Sequence, residues 1–175
     1  NRQVGYLPDV PEFYNYMKPQ EYLTLCGEIS RLTKGEIRNR SKELLSLVGL
    51  EGVKKRIGSF SRGMKQRLGI APALLSRPKL LICDEPTRAL DPVGRKERVD
   101  ILRKIKGATT VVCSTHILSD VERICDHVAV LHKGKIAVSG TLAEIRELHR
   151  SDSLLLEFVN SADVDSFKSQ EDIKP

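Results

Sequence analysis

The sequence has no tryptophan, few aromatics of any kind, and no apolar run of membrane length. Its longest purely apolar stretches, such as residues 80–83, are far too short to cross a bilayer. The four cysteines, at 26, 83, 113 and 125, show no Cys-x-x-Cys spacing. That leaves no metal knuckle or redox pair to read. Cys83 and Cys113 lie in apolar runs and read as buried, reduced thiols of a cytosolic protein. Aromatics make up 5% of the chain, too few to stack on bases, so no nucleic-acid partner is expected. Also missing is any Gly-x-x-x-x-Gly-Lys-Ser/Thr run, whose backbone amides would wrap a nucleotide's phosphates. The first residue is Asn rather than Met, which fits a piece of a longer protein.

What is present suffices for a folded domain. At 175 residues with 40% hydrophobic and 30% charged side chains, the chain can bury a core. The net charge of +6 is unevenly spread. Residues 31–67 hold 11 Lys/Arg against 3 Asp/Glu, and residues 151–175 hold 2 against 6. The basic stretch suits solvated helix faces, a nucleotide or anionic headgroups.

Local signals place the elements. "QVGYLP", 3–8, is a short strand stopped by Pro8. Pro19 opens a helix, and Thr33-x-x-Glu36 is a capping box for a second that closes at Gly49. Ser61 is an N-cap for a third, expected to run to about Ser76 and to kink at Pro72. "KLLICD", 79–84, and "TTVVCS", 109–114, lack alternation, as strands buried on both faces of a parallel sheet do. Between them Asp91 and Pro92 start another helix. "HVAVLHKGKIAVSG", 127–140, reads as two strands around a tight turn. Thr141-x-x-Glu144 is a second capping box, and "SLLLEFV" in the acidic tail suits a strand.

Three sites carry chemistry. Asp84 and Glu85 end an apolar strand, where open α/β sheets bind ligands. Adjacent carboxylates there divide the labour in nucleotide hydrolysis, one holding Mg²⁺ and the other orienting water. His116 follows the next core strand, 31 residues after Glu85, so parallel pairing would bring it beside Glu85. Ser61 and Gly63 open a helix, where free amides and the helix dipole suit a phosphate. Singly, each also reads as an acidic turn, a surface histidine or an ordinary N-cap.

Taken in order, "FSRGM", "LLICDEPTRALDP" and "STH" resemble the nucleotide-binding domain of ABC transporters over residues 3–140 or so. "FSRGM" is similar to that family's signature, "LLICDE" to its Walker B strand, "ALDP" to its D-loop, and "VGYLPD" stands at its Q-loop. "KQRLGIA" and "STHILSDVERICD" point to the ABC-2 exporter type. The chain departs from the pattern at Asp9 for glutamine, at Arg62 and Met64 in the signature, at Ala89 in the D-loop, and at Pro72. Walker A and the aromatic adenine contact are absent; in the family both precede the Q-loop.

The resemblance implies an α/β, P-loop NTPase-like fold with a mainly parallel sheet and an α-helical subdomain at about 15–76. A partial ATPase domain would span 1–150 and a C-terminal extension 151–175. It implies an ATPase whose cofactors are ATP and Mg²⁺, with Glu85 and His116 catalytic and Asp84 and Asp9 at the metal. Ser61, Arg62, Gly63 and Asp91 would meet nucleotide, the signature residues contacting ATP held by a second subunit in a head-to-tail dimer. Transmembrane permease subunits would be the other partners, placing the protein on the cytoplasmic face of the membrane. A non-catalytic ABC-like regulatory module and a soluble ABC ATPase outside transport are the alternatives. A Gly-x-x-Gly-x-Gly-Lys-Ser/Thr run within about 60 residues upstream in the coding sequence is expected for a truncated enzyme.

Overall fold

The computed structural model describes residues 2–88 and 90–148, so Ala89 and the expected "SLLLEFV" strand lie outside the described residues. The chain divides into two compact units, residues 1–128 and 129–175.

In the first unit a three-stranded parallel sheet carries the candidate site. Its strands are β1 (Val4–Leu7), β2 (Leu80–Asp84) and β3 (Thr110–Ser114), in the order β1-β2-β3. The register sets Leu7 against Cys83, Cys83 against Cys113, and Asp84 against Ser114. The ends of β2 and β3 therefore stand side by side.

Between β1 and β2 the chain makes α1 (Pro19–Ile29), α2 (Lys34–Leu47) and α3 (Arg62–Leu74). Pro19 occupies the first turn of α1, where its missing amide hydrogen costs nothing. Thr33 and Glu36 close a reciprocal cap on α2, with Glu36 Oε2 accepting from the Thr33 amide at 2.7 Å. Gly49, just past α2, takes φ +66°, which ends the helix without a Cβ penalty. Helix α3 runs only two residues beyond Pro72 and stops two short of the expected end. After β2 come α4 (Pro92–Ile105), capped by Asp91, and after β3 the short α5 (Leu118–Ile124).

Leu7, Leu81 and Cys83 of the sheet join Leu68, Ile70 and Leu74 of α3 and Val99 and Leu102 of α4 in one buried cluster. Each such side chain contributes about 1.5–3 kcal/mol by leaving water. Helices α1, α2 and α3 pack on one another, and α3 lies directly against β1. The cysteines are free thiols, Cys83 buried and Cys113 half-buried beside it.

Burial of β2 and β3 on both faces does not hold. Exposure alternates along each strand, and Tyr6, Ile82 and Val112, paired in one row, are all exposed with Val4. Helices α3 and α4 cover one face only. Apolar residues at every position cannot say which face is covered, so the sequence pattern overstated the burial.

Strand β4 (His127–His132), most of which belongs to the second unit, and β5 (Lys135–Thr141) form a hairpin, followed by α6 (Leu142–Leu148). Its two-residue turn puts Lys133 and Gly134 at φ +49° and +75°, the geometry a twisted hairpin needs. Thr141 and Glu144 cap α6 reciprocally, at 2.7 and 3.2 Å.

Candidate functional site

Strand β2 ends on Asp84, and the chain turns sharply at Glu85. Glu85 takes φ +43°, left-handed backbone that a residue with a Cβ rarely adopts. Such strain persists where surrounding contacts impose it, and it collects at functional sites. The contacts here are specific. Ser114 Oγ donates to Asp84 Oδ1 at 2.8 Å and accepts from the Glu85 amide at 3.1 Å. The turn closes with the Arg88 amide on the Glu85 carbonyl at 3.0 Å. Buried Thr87 donates its hydroxyl to buried Asp120 in α5, tying the turn to the helix that follows His116.

The Glu85 carboxylate lies against His116, with Oε1 2.9 Å from the imidazole Nδ1. Its other oxygen, Oε2, is buried and has no hydrogen-bond partner among the described residues. A buried oxygen without a partner is costly and calls for a donor such as water or a ligand. One carboxylate oxygen is thus oriented by a histidine and the other is free to receive a proton or polarise a water. Asp84 is exposed at the strand end, with Oδ1 steadied by Ser114. That suits a Mg²⁺ ion, which takes one or two carboxylates and keeps several waters.

Asp9 lies elsewhere in the network. Its Oδ2 accepts from Arg88 Nη1 at 3.1 Å, and its backbone carbonyl accepts from Gln66 Nε2 at 3.4 Å. Gln66 Oε1 in turn accepts from Nη1 of Arg98, and both side chains are buried. Burial pulls the Arg98 guanidinium down to about 10. Asp91 caps α4, its Oδ1 accepting from the Gly94 amide at 3.3 Å.

The other half of the site is the start of α3. Ser61 Oγ accepts from the Met64 amide at 3.2 Å, which leaves its hydrogen free to donate. Arg62 and Gly63 form the first turn, with no acidic residue to oppose an anion. A Cβ built on Gly63 would meet nothing within 4 Å, so the fold itself does not require glycine there. Gly63→Ala should therefore leave thermal stability unchanged or raise it, by at most about 1 kcal/mol. It should weaken the binding of a phosphate to the α3 amides at least about tenfold, by holding it off the backbone. Equal phosphate affinity with equal stability would show that nothing approaches Gly63.

Sequence reasoning named Asp84, Glu85, His116, Ser61, Arg62, Gly63, Asp91 and Asp9. The structure brings the first three together, groups Ser61 with Arg62 and Gly63, and joins Asp9 to Arg88. It missed Ser114, whose role comes from the β2–β3 register, and Arg88, which is 79 residues from its partner.

Residues 1–88 match the ABC transporter family. Over 156 residues the chain is 46% identical to the ABC transporter ATP-binding protein YxlF of Bacillus subtilis, covering 89% of this chain and 53% of that protein. The bacitracin transport ATP-binding protein BcrA of Bacillus licheniformis is 44% identical over 138 residues, covering 77% and 44%. Among solved structures, an ATP binding subunit of an ABC transporter superposes with a TM-score of 0.70 at 34% identity, covering 84% of this chain and 62% of that one. The cbiO1 protein of Clostridium perfringens, part of the transporter complex cbiONQ, gives 0.75 at 29% identity, covering 83% and 60%. The chain spans about half the length of the curated relatives it matches.

Proposed function

The chain belongs to the ABC transporter ATP-binding family, and on that footing we propose that it is the part of an ATPase subunit that completes two different nucleotide sites. Asp84, Glu85 and His116 serve a nucleotide bound by the same subunit. Ser61, Arg62 and Gly63 serve one bound by a second subunit placed head to tail. The observation that carries this reading is Glu85: one oxygen held by His116, the other buried without a partner, on a strained turn at a strand end.

When bound, Mg²⁺ would neutralise the negative charge of the nucleotide's phosphates. Asp84 would hold the ion, with Ser114 fixing the orientation of its carboxylate. Glu85 would accept the proton of the attacking water, with the contact to His116 fixing the orientation of its carboxylate. At α3, the dipole, the Ser61 hydroxyl and Arg62 favour the developing phosphate charge. Among the described residues no helix is long and apolar enough to cross a membrane. Membrane attachment would come from permease subunits docked on the helical unit near residues 9–31, where Val10, Tyr14, Tyr16 and Ile29 are exposed. On the resemblance to ABC-2 exporters, the protein would work in export from the cytoplasmic face.

The 175-residue chain holds no P-loop amides or lysine, which supply most phosphate contacts. It should therefore show no micromolar ATP binding by calorimetry, whereas the full-length subunit should bind and hydrolyse Mg²⁺-ATP. Tight binding by the chain alone would place the nucleotide somewhere other than proposed.

A further inference from the structure

Resting on that reading of the site, we propose that Arg88 is a positioning residue for ATP hydrolysis that acts by holding the Asp9 carboxylate against the turn of Glu85. Asp9 stands in the loop between β1 and α1. Two long-range contacts hold it, one at the side chain and one at the backbone. Arg88 takes its carboxylate at 3.1 Å, and Gln66, on the second turn of α3, takes its backbone carbonyl at 3.4 Å. Gln66 is held in turn by Arg98 Nη1, and both side chains are buried.

Arg88 is itself built into the turn of Glu85, through its amide on the Glu85 carbonyl and through its neighbour Thr87 on Asp120. Asp9 is thus strung between the helix that opens at Ser61 and the turn that carries Glu85. Loss of Arg88 would free the carboxylate while leaving the backbone anchored at Gln66. The Arg88 side chain is 60% exposed, so the pair is screened by water and its effect is modest.

The test uses the full-length subunit as wild type, Asp9→Asn, Arg88→Gln, Arg88→Lys and the Asp9→Asn/Arg88→Gln double variant. Arg88→Gln should lower kcat about three- to fivefold, with KM for ATP within about twofold. Arg88→Lys, which keeps the charge, should recover most of that loss. In the Asp9→Asn background Arg88→Gln should cost little further, because the charge that Arg88 pairs with is gone. Wild-type turnover in Arg88→Gln, a loss confined to KM, or effects that multiply with Asp9→Asn would overturn the proposal. Glu85→Gln serves as the control. If it falls as expected while Asp9 and Arg88 act independently, only the role of Arg88 is lost; if wild-type subunit fails to hydrolyse ATP, the site reading fails and the proposal with it.

Discussion

Glu85→Gln in the full-length subunit should lower ATP turnover by about a hundredfold to ten-thousandfold, the span that a positioned general base contributes. The substitution keeps the shape of the side chain and an oxygen at the Oε1 position beside His116. It removes the charge that accepts a proton from water. Because one negative charge disappears near the γ-phosphate, ATP binding should be kept or tightened. The variant should therefore accumulate as an ATP-bound dimer, visible by size-exclusion chromatography with bound nucleotide counted after washing. Turnover within about twofold of wild type would remove Glu85 from the chemistry.

Gly5→Ala should cost about 3 kcal/mol or more of stability, at the upper end for overpacking. Gly5 lies on the buried face of β1, paired with Leu81, where α3 crosses the strand. A Cβ there would stand 2.2 Å from the Ala73 carbonyl oxygen and 3.1 Å from Pro78 Cγ. Since the nearest atom is backbone, no rotamer change relieves the clash. The strand would have to lift from α3, loosening Leu7 and the loop that carries Asp9. In the full-length subunit the melting temperature should fall by roughly 10 °C. A shift under about 2 °C would mean that β1 and α3 do not approach this closely. The contrast with Gly63 is instructive: one glycine is demanded by packing, the other stands in open space.

Features set by neighbours in sequence were legible. Thr33 with Glu36, Ser61, and Asp91 before Pro92 all cap the helices expected of them, because capping is decided within four residues. The turn at Lys133 and Gly134 is equally local. What escaped notice depends on distant pairing. Ser114 sits inside a recognised motif, yet its bonds to Asp84 and Glu85 exist only through the β2–β3 register. Arg98 lies in the charged run "GRKERVD", and its burial against Gln66 exists only through tertiary packing. The uncovered row Tyr6, Ile82 and Val112 was hidden for the opposite reason, since strands apolar on both faces look the same whether one side or both are covered.

The division of the chain between two nucleotides is tested most directly by placing two lesions in one subunit or in two. Gly63→Asp, at a position where an added Cβ meets nothing within 4 Å, sets a negative charge against the phosphate at α3; Glu85→Gln disables the strand-end carboxylate. Doubly tagged dimers are purified with both changes in one subunit and none in the other, or with one change in each. If the two groups serve different nucleotides, one change in each subunit leaves one intact site, and that dimer keeps measurable ATP turnover. Both changes in one subunit then damage both sites and abolish it. The reverse pattern, with activity surviving only when both changes share a subunit, would mean that Ser61–Gly63 and Glu85 act on the same nucleotide and would contradict the account.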